Sequence, residues 1–235
     1  PSVSIKLSEP KKNSNWITSN LNNQNLTHNL YLSGMNNNFL KKKIGKNKFP
    51  NNNIMSSPIF FDNNLILSDD TGTIFSLTTK GKVNWKKNIY EKIYKKIYKN
   101  LSLAIYKDRI YVSDNIGFVY SLDILSGKVV WIKNHGIPLK SKIKIYEDKI
   151  FLVNQDNKIF CLDIEKGSKI WDIRSISSFI KSQNLLGTAV SKDGQIVALT
   201  TTGDLLGIKS SNGRMYWSLN ATGSTYANEA DFFKS

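Results

Sequence analysis

Few residues in this chain of 235 could do chemistry, and their spacing limits what that chemistry can be. Asp123 and Asp163 stand at matching places in "SLDILSG" (121–127) and "CLDIEKG" (161–167). A carboxylate that recurs beside a turn glycine organises the turn by accepting backbone hydrogen bonds, which makes it a poor candidate for a catalytic acid or base. Cys161 is the only cysteine, so an internal disulfide and a thiolate metal cage are excluded. It alternates with apolar neighbours in "KIFCLD", as a small buried core residue does. His28 and His135 lie far apart in polar or turn contexts, and neither has a partner at metal-ligand spacing. No nucleophile elbow, phosphate loop or zinc motif occurs. The expectation is a protein without catalytic, cofactor-binding or metal-ligating residues, and therefore not an enzyme.

What the sequence does repeat is mechanical. "LTTKGKVNW" (77–85), "LDILSGKVVW" (122–131), "LDIEKGSKIW" (162–171) and "IKSSNGRMYW" (208–217) each place Gly four residues before Trp. The tryptophans Trp85, Trp131, Trp171 and Trp217 are 46, 40 and 46 residues apart, a period that signals an array of structural units. Upstream of each come three short segments rich in Ile, Val, Phe and Tyr, separated by polar turns: "LSLAIY", "RIYVSD" and "GFVYSLD" in the second unit. Such segments read as β-strands. Four strands in about forty residues make one antiparallel meander, which cannot bury both faces alone and must stack on its neighbours. The radial solution is an all-β β-propeller of four-stranded antiparallel blades. Gly81, Gly127, Gly167 and Gly213 supply the positive φ of a tight turn, and the four tryptophans are the expected blade-docking residues.

Three stretches depart from the repeat. "NIYEKIYKKIYKNL" (88–101) carries Ile89, Tyr90, Ile93, Tyr94, Ile97, Tyr98 and Leu101 at helical spacing, and reads as a connection inserted between blades or as a basic amphipathic helix. The Asn-rich N-terminal third reads as loops over one face. "NNFLKKKIG" (37–45) aligns with "KVNWKKNIY" (82–90), with Leu40 in the slot of Trp85. That makes it an outer strand lacking its own inner strands, as a latch closing the last blade would be. The implied organisation is a tether and loop segment over 1–36, a latch strand over 37–48, and blades one to four with the start of a fifth over 49–235. The chain starts at Pro1 and stops at "YANEADFFKS", so both ends read as cut.

The net charge of +15 raises nucleic acid as a partner. However, Arg109, Arg174 and Arg214 are the only arginines, while nucleic-acid readers lean on the bidentate arginine fork. The inflated Lys, Asn and Ile instead suggest compositional drift, and no nucleic-acid partner is expected. No run approaches eighteen apolar residues, so no helical membrane span is expected.

The "LD…G…W" unit resembles the quinoprotein-type (PQQ-like) propeller repeat. "NWITSNLNNQNLTHNLYL", followed by "KKKIGKN" and "SSPIFFDNNLILSDDTGTIFSL", resembles the alphaproteobacterial form of the BamB family, propeller lipoproteins of the outer-membrane β-barrel assembly machinery. The resemblance implies an eight-bladed ring and a monomeric, non-catalytic scaffold without cofactor. It also implies a place at the periplasmic face of the outer membrane, held by a lipid anchor outside this sequence. The implied partners are the central barrel-assembly subunit and unfolded outer-membrane protein clients. "SISSFIKSQ" (175–183) resembles the family's first contact loop, making Phe179, Ile180 and Lys181 candidate protein-binding residues. "WSLNATGSTYANEAD" resembles the second, with Glu229 and Asp231 in the acidic positions, although the stretch before them is shorter than the family pattern. The alternatives are a PQQ-dependent dehydrogenase, which requires an adjacent-cysteine pair that this chain lacks, and a propeller that binds envelope glycan or another envelope protein.

Overall fold

The computed structural model describes residues 7–31, 40–49, 56–174 and 180–221. It contains four four-stranded antiparallel sheets, each a simple meander. Blade I comprises β1 (Ile59–Phe61), β2 (Asn64–Ser68), β3 (Thr73–Thr78) and β4 (Val83–Asn88). Blade II comprises β5 (Leu101–Tyr106), β6 (Arg109–Asp114), β7 (Phe118–Asp123) and β8 (Val129–Asn134). Blade III comprises β9 (Lys144–Tyr146), β10 (Lys149–Val153), β11 (Lys158–Asp163) and β12 (Lys169–Arg174). Blade IV comprises β13 (Thr188–Val190), β14 (Gln195–Leu199), β15 (Asp204–Lys209) and β16 (Met215–Asn220). The first strands of successive blades touch one another, β1 to β5, β5 to β9 and β9 to β13, so they form the inner wall of a partial propeller.

The alternation of each middle strand sorts its side chains between two inter-blade cores. Along β10, Ile150 and Leu152 pack towards blade II, while Phe151 and Val153 pack towards blade IV. In β6, Val112 joins the core shared with blade I and Tyr111 the core shared with blade III. A strand buried on both faces reads as a nearly continuous apolar run, which is how these segments appear in the sequence. The outer strands β4, β8, β12 and β16 are the most exposed of each blade and mix polar residues with exposed apolar ones such as Val130, Ile132 and Ile170.

Each blade bulges at the same point, between Ser76 and Leu77, Ser121 and Leu122, Cys161 and Leu162, and Gly207 and Ile208. The residue before the bulge pairs with the blade tryptophan, giving Ser76–Trp85, Ser121–Trp131, Cys161–Trp171 and Gly207–Trp217. A small side chain is needed there because the indole lies flat over it. A Cβ on Gly207 would stand 2.1 Å from the ring of Trp217. This explains the lone cysteine as the small residue under Trp171. Burial pushes its thiol up to about 12, which leaves it unreactive at neutral pH.

Two stretches outside the repeat are now specified. The 88–101 stretch is the expected connection between blades I and II, and forms no amphipathic helix. Among its residues only Lys92–Lys96 coil, as a single 3-10 turn. Ile89 is drawn into the core between blades I and II, and the Tyr90 hydroxyl bonds Asp114, so the apolar residues separate instead of sharing a stripe. The Asn-rich N-terminal segment does more than cover a face: residues 16–25 cross the inner strands of all four blades. Trp16 exchanges backbone hydrogen bonds with Phe60 (2.6 and 2.8 Å), and Ile105 N donates to Ile17 O (2.7 Å). Thr18 Oγ1 donates to Ile143 O (3.4 Å) and the Asn23 side chain to Ile145 O. Val190 N donates to Asn23 O, and Asn25 Nδ2 to Thr188 O, each at 2.9 Å. The inner strands are sheet edges whose backbone groups need partners, and this strap supplies them.

Candidate functional site

The repeated residues fit together across blade boundaries. Gly127 (φ +67°) lies under the ring of Trp85, Gly167 (φ +65°) under Trp131, and Gly213 (φ +74°) under Trp171. A Cβ at these glycines would sit 2.4, 2.7 and 2.8 Å from the respective indole. Each indole N–H also donates to the carbonyl three residues before that glycine: Trp85 to Ile124 (3.0 Å), Trp131 to Ile164 (3.2 Å) and Trp171 to Ser210 (3.0 Å). The ring thus covers the next blade's turn and caps one of its carbonyls. Gly81 (φ +79°) meets Leu40 instead, where an added Cβ would stand 2.7 Å from Leu40 Cδ1, and Lys42 Nζ donates to Gly81 O. Leu40 therefore occupies towards blade I the place that a tryptophan occupies towards each later blade. Trp217 remains 38% exposed among the described residues.

The aspartates are equally committed. Asp123 Oδ1 accepts from Ser126 N and Ser126 Oγ, which holds its carboxyl below the usual range, and Asp163 Oδ1 accepts from Lys166 N. The turns between second and third strands are organised the same way by Asp69, Asp114 and Asn154. His135 stacks on Phe160 at 5.0 Å, and burial, with Lys169 and Lys133 nearby, lowers its pKa. Among the described residues no three His, Cys, Asp or Glu side chains gather as metal ligands.

The parts that do not repeat share one end of the blades. In a meander the first and third hairpins open at one end, while the second hairpin and the connection to the next blade lie at the other. The connections 89–100, 135–143 and 180–187 therefore share an end with the turns at 69–72, 114–117, 154–157 and 200–203. Exposed Ile93, Ile97, Ile180 and Leu185 all belong to these connections.

Ile180, 64% exposed, is presented on anchored backbone. Asn157 Nδ2 donates to Ile180 O (2.8 Å), and Ser182 N donates to Gln155 O (2.8 Å). Lys181 lies 3.9 Å from Asp156. Phe179, Glu229 and Asp231 lie outside the described residues.

At the inner wall, Lys144 is 1% exposed and donates to Asn22 O (3.0 Å) and Asn25 Oδ1 (2.6 Å) of the strap. Burial depresses its pKa from 10.5 to about 8. Below pH 8 the ammonium is charged whether folded or unfolded, and the cost of burying it is fully present. Between about 8 and 10.5 the folded chain has released the proton while the unfolded chain retains it, so stability rises with pH. The rise is worth about 3 kcal/mol. Above 10 it is opposed by buried Tyr111, whose phenol burial holds up to about 12 while the unfolded phenol ionises. Urea unfolding between pH 7 and 11 is expected to show greatest stability near pH 10, and Lys144→Met is expected to reduce the rising limb, leaving the part contributed by Lys142 and Lys99, whose pKa values burial also lowers. A wild-type profile that falls from pH 8 would contradict this assignment.

A family model for the outer membrane protein assembly factor BamB matches residues 43–144 and 71–235. Among solved structures, BamB from Moraxella catarrhalis is similar at 20% identity with a TM-score of 0.53, covering 66% of this chain and 49% of that one. A quinohemoprotein alcohol dehydrogenase from Pseudomonas putida has a TM-score of 0.58 at 12% identity, covering 71% of this chain and 34% of that one. The corresponding enzyme from Comamonas testosteroni has the same TM-score at 13% identity, covering 71% and 35%. These likenesses show the propeller fold, and the chain spans about half the length of the solved BamB. No curated protein matches the sequence.

Proposed function

The chain belongs to the family of the outer membrane protein assembly factor BamB, and on that premise we propose that it is a non-catalytic scaffold of outer-membrane β-barrel assembly. It docks the central assembly subunit and unfolded barrel clients at the periplasmic face of the membrane. The observation that carries this reading is the division of labour among the residues. The repeated Gly, Trp and Asp are consumed in blade docking and turns, while one end of the blades presents exposed apolar side chains on anchored connections. Such side chains act as binding anchors once they are desolvated in a partner's pocket. The dehydrogenase alternative needs room for a quinone and calcium at the propeller centre. Here the strap takes up the inner-strand edges at the end of the first hairpins, and the single cysteine lies beneath Trp171. On the same premise, residues 37–48 latch the ring, with Leu40 as its docking residue.

The test is copurification of the central subunit with the whole protein. Ile180→Asp and the double charge reversal of Glu229 and Asp231 are each expected to lower recovery of the complex at least tenfold, with unchanged circular dichroism. A complex that survives both changes contradicts the site, and a stoichiometric bound quinone contradicts the scaffold itself.

A further inference from the structure

A cleft of about 220 Å³ opens between blades II and III, with the connection to blade IV as its third wall. Its position at the end of the connections separates it from the strap. Most residues along its walls are polar, although apolar atoms make up the larger share of its surface. Ser102 Oγ accepts from Ile143 N (3.0 Å), and Ser141 Oγ accepts from Val153 N (2.8 Å). Each hydroxyl oxygen is already accepting, which leaves its proton to donate into the cleft. Lys140 and Lys142 also line it. The Lys140 ammonium is used on Gln183 O (3.0 Å), whereas that of Lys142 has no ion pair or hydrogen bond among the described residues. Only burial acts on Lys142, lowering its pKa. A partly buried ammonium without a counter-charge is costly, and an anion removes that cost.

The wall also contains a carboxylate, Asp114, whose oxygens are fully engaged. Oδ1 accepts from Ile116 N (2.9 Å), Gly117 N (2.8 Å) and Phe118 N (2.8 Å), and Oδ2 accepts from the Tyr90 hydroxyl. Its presence sets the charge that the cleft tolerates. The ammonium groups of Lys140 and Lys142 and the carboxylate of Asp114 leave the lining with one net positive charge, which matches a single negative charge and opposes a dianion.

We propose that this cleft is a binding site for a small polar ligand bearing one carboxylate group, held by Lys142 with the hydroxyls of Ser102 and Ser141. The site concerns the isolated protein and does not depend on the assembly partner, so its failure leaves the docking proposal untouched.

Calorimetric titration of the whole protein, with no partner present, tests it using acetate, lactate, inorganic phosphate, and a short peptide with either a free or an amidated C-terminus. The carboxylates are expected to bind and the amidated peptide is not. Lactate against the free-ended peptide then distinguishes a free acid from a chain terminus as the source. Lys142→Met, which keeps the aliphatic stem, is expected to weaken binding at least tenfold with an unchanged melting temperature, and Ser141→Ala severalfold. Lys140→Met is expected to change affinity less than twofold, and Asp114→Asn to tighten it. Absence of carboxylate binding overturns the proposal, as does phosphate binding more tightly than acetate, or equal affinity in Lys142→Met.

Discussion

Gly127→Ala is expected to destabilise the protein by about 3–5 kcal/mol, whereas Gly136→Ala is expected to cost only about 1–2 kcal/mol. The two glycines have nearly the same backbone, φ +67° and +69°, so both substitutions carry the same left-handed strain. They differ in what surrounds them. An added methyl at Gly127 would meet the Trp85 ring at 2.4 Å, while at Gly136 nothing lies within 4 Å. The excess at Gly127 therefore measures the docking of one blade on the next, separated from turn chemistry. Urea unfolding of both variants gives the difference directly. A cycle with Trp85→Ala adds a second reading, since without the indole the Gly127 methyl has room and its cost is expected to fall to that at Gly136. Equal costs at the two glycines in the wild-type background would mean that the ring contact contributes nothing.

This pairing also marks how far the sequence could be read. The repeat was legible because every unit solves one packing problem with the same residues, and Gly four residues before Trp survives large changes in the rest. The target of each indole was less visible. It is the turn of the following blade, so the glycine is required for contact as well as for φ. A signal for this existed in Ser76, Ser121, Cys161 and Gly207, the small residues nine or ten positions before each Trp.

The strap had no comparable signal. It is held by Asn side chains on the backbone of strands more than 100 residues away, and such bonds have no periodicity and favour no composition beyond polar. The helical spacing at 88–101 gave no helix for a related reason. Tyr90 is claimed by Asp114, and Lys99 turns back on the carbonyls of Tyr94 and Ile97. Tertiary partners thus overrode a local pattern, which is the usual outcome when a stretch is too short to pay for its own helix.

Asp114→Ala is expected to cost about 3–5 kcal/mol, comparable to the glycine effect but of different origin. The side chain is 1% exposed, and its loss orphans three backbone N–H groups together with the Tyr90 hydroxyl. Asp114→Asn is expected to cost far less, about 1 kcal/mol. Blade III shows why, because Asn154 occupies the equivalent turn and its Oδ1 accepts from Asp156 N (3.0 Å) and Lys158 N (3.1 Å). An amide is therefore sufficient for the turn, and the carboxylate of Asp114 is required only for Tyr90. Burial first and then the Asp114 charge hold the Tyr90 phenol far above its ordinary range, so it remains a donor wherever the protein is folded. Tyr90→Phe in the wild-type background strands a buried carboxylate oxygen and is expected to cost about 1.5–3 kcal/mol. In the Asp114→Asn background the same change removes a phenol that faces an amide, and is expected to cost less than half as much. Unfolding free energies for the four proteins of that cycle decide the matter. Additive costs would show that tyrosine and aspartate stabilise the turn independently, and would remove the charged hydrogen bond as the reason the connection after β4 folds back onto blade II.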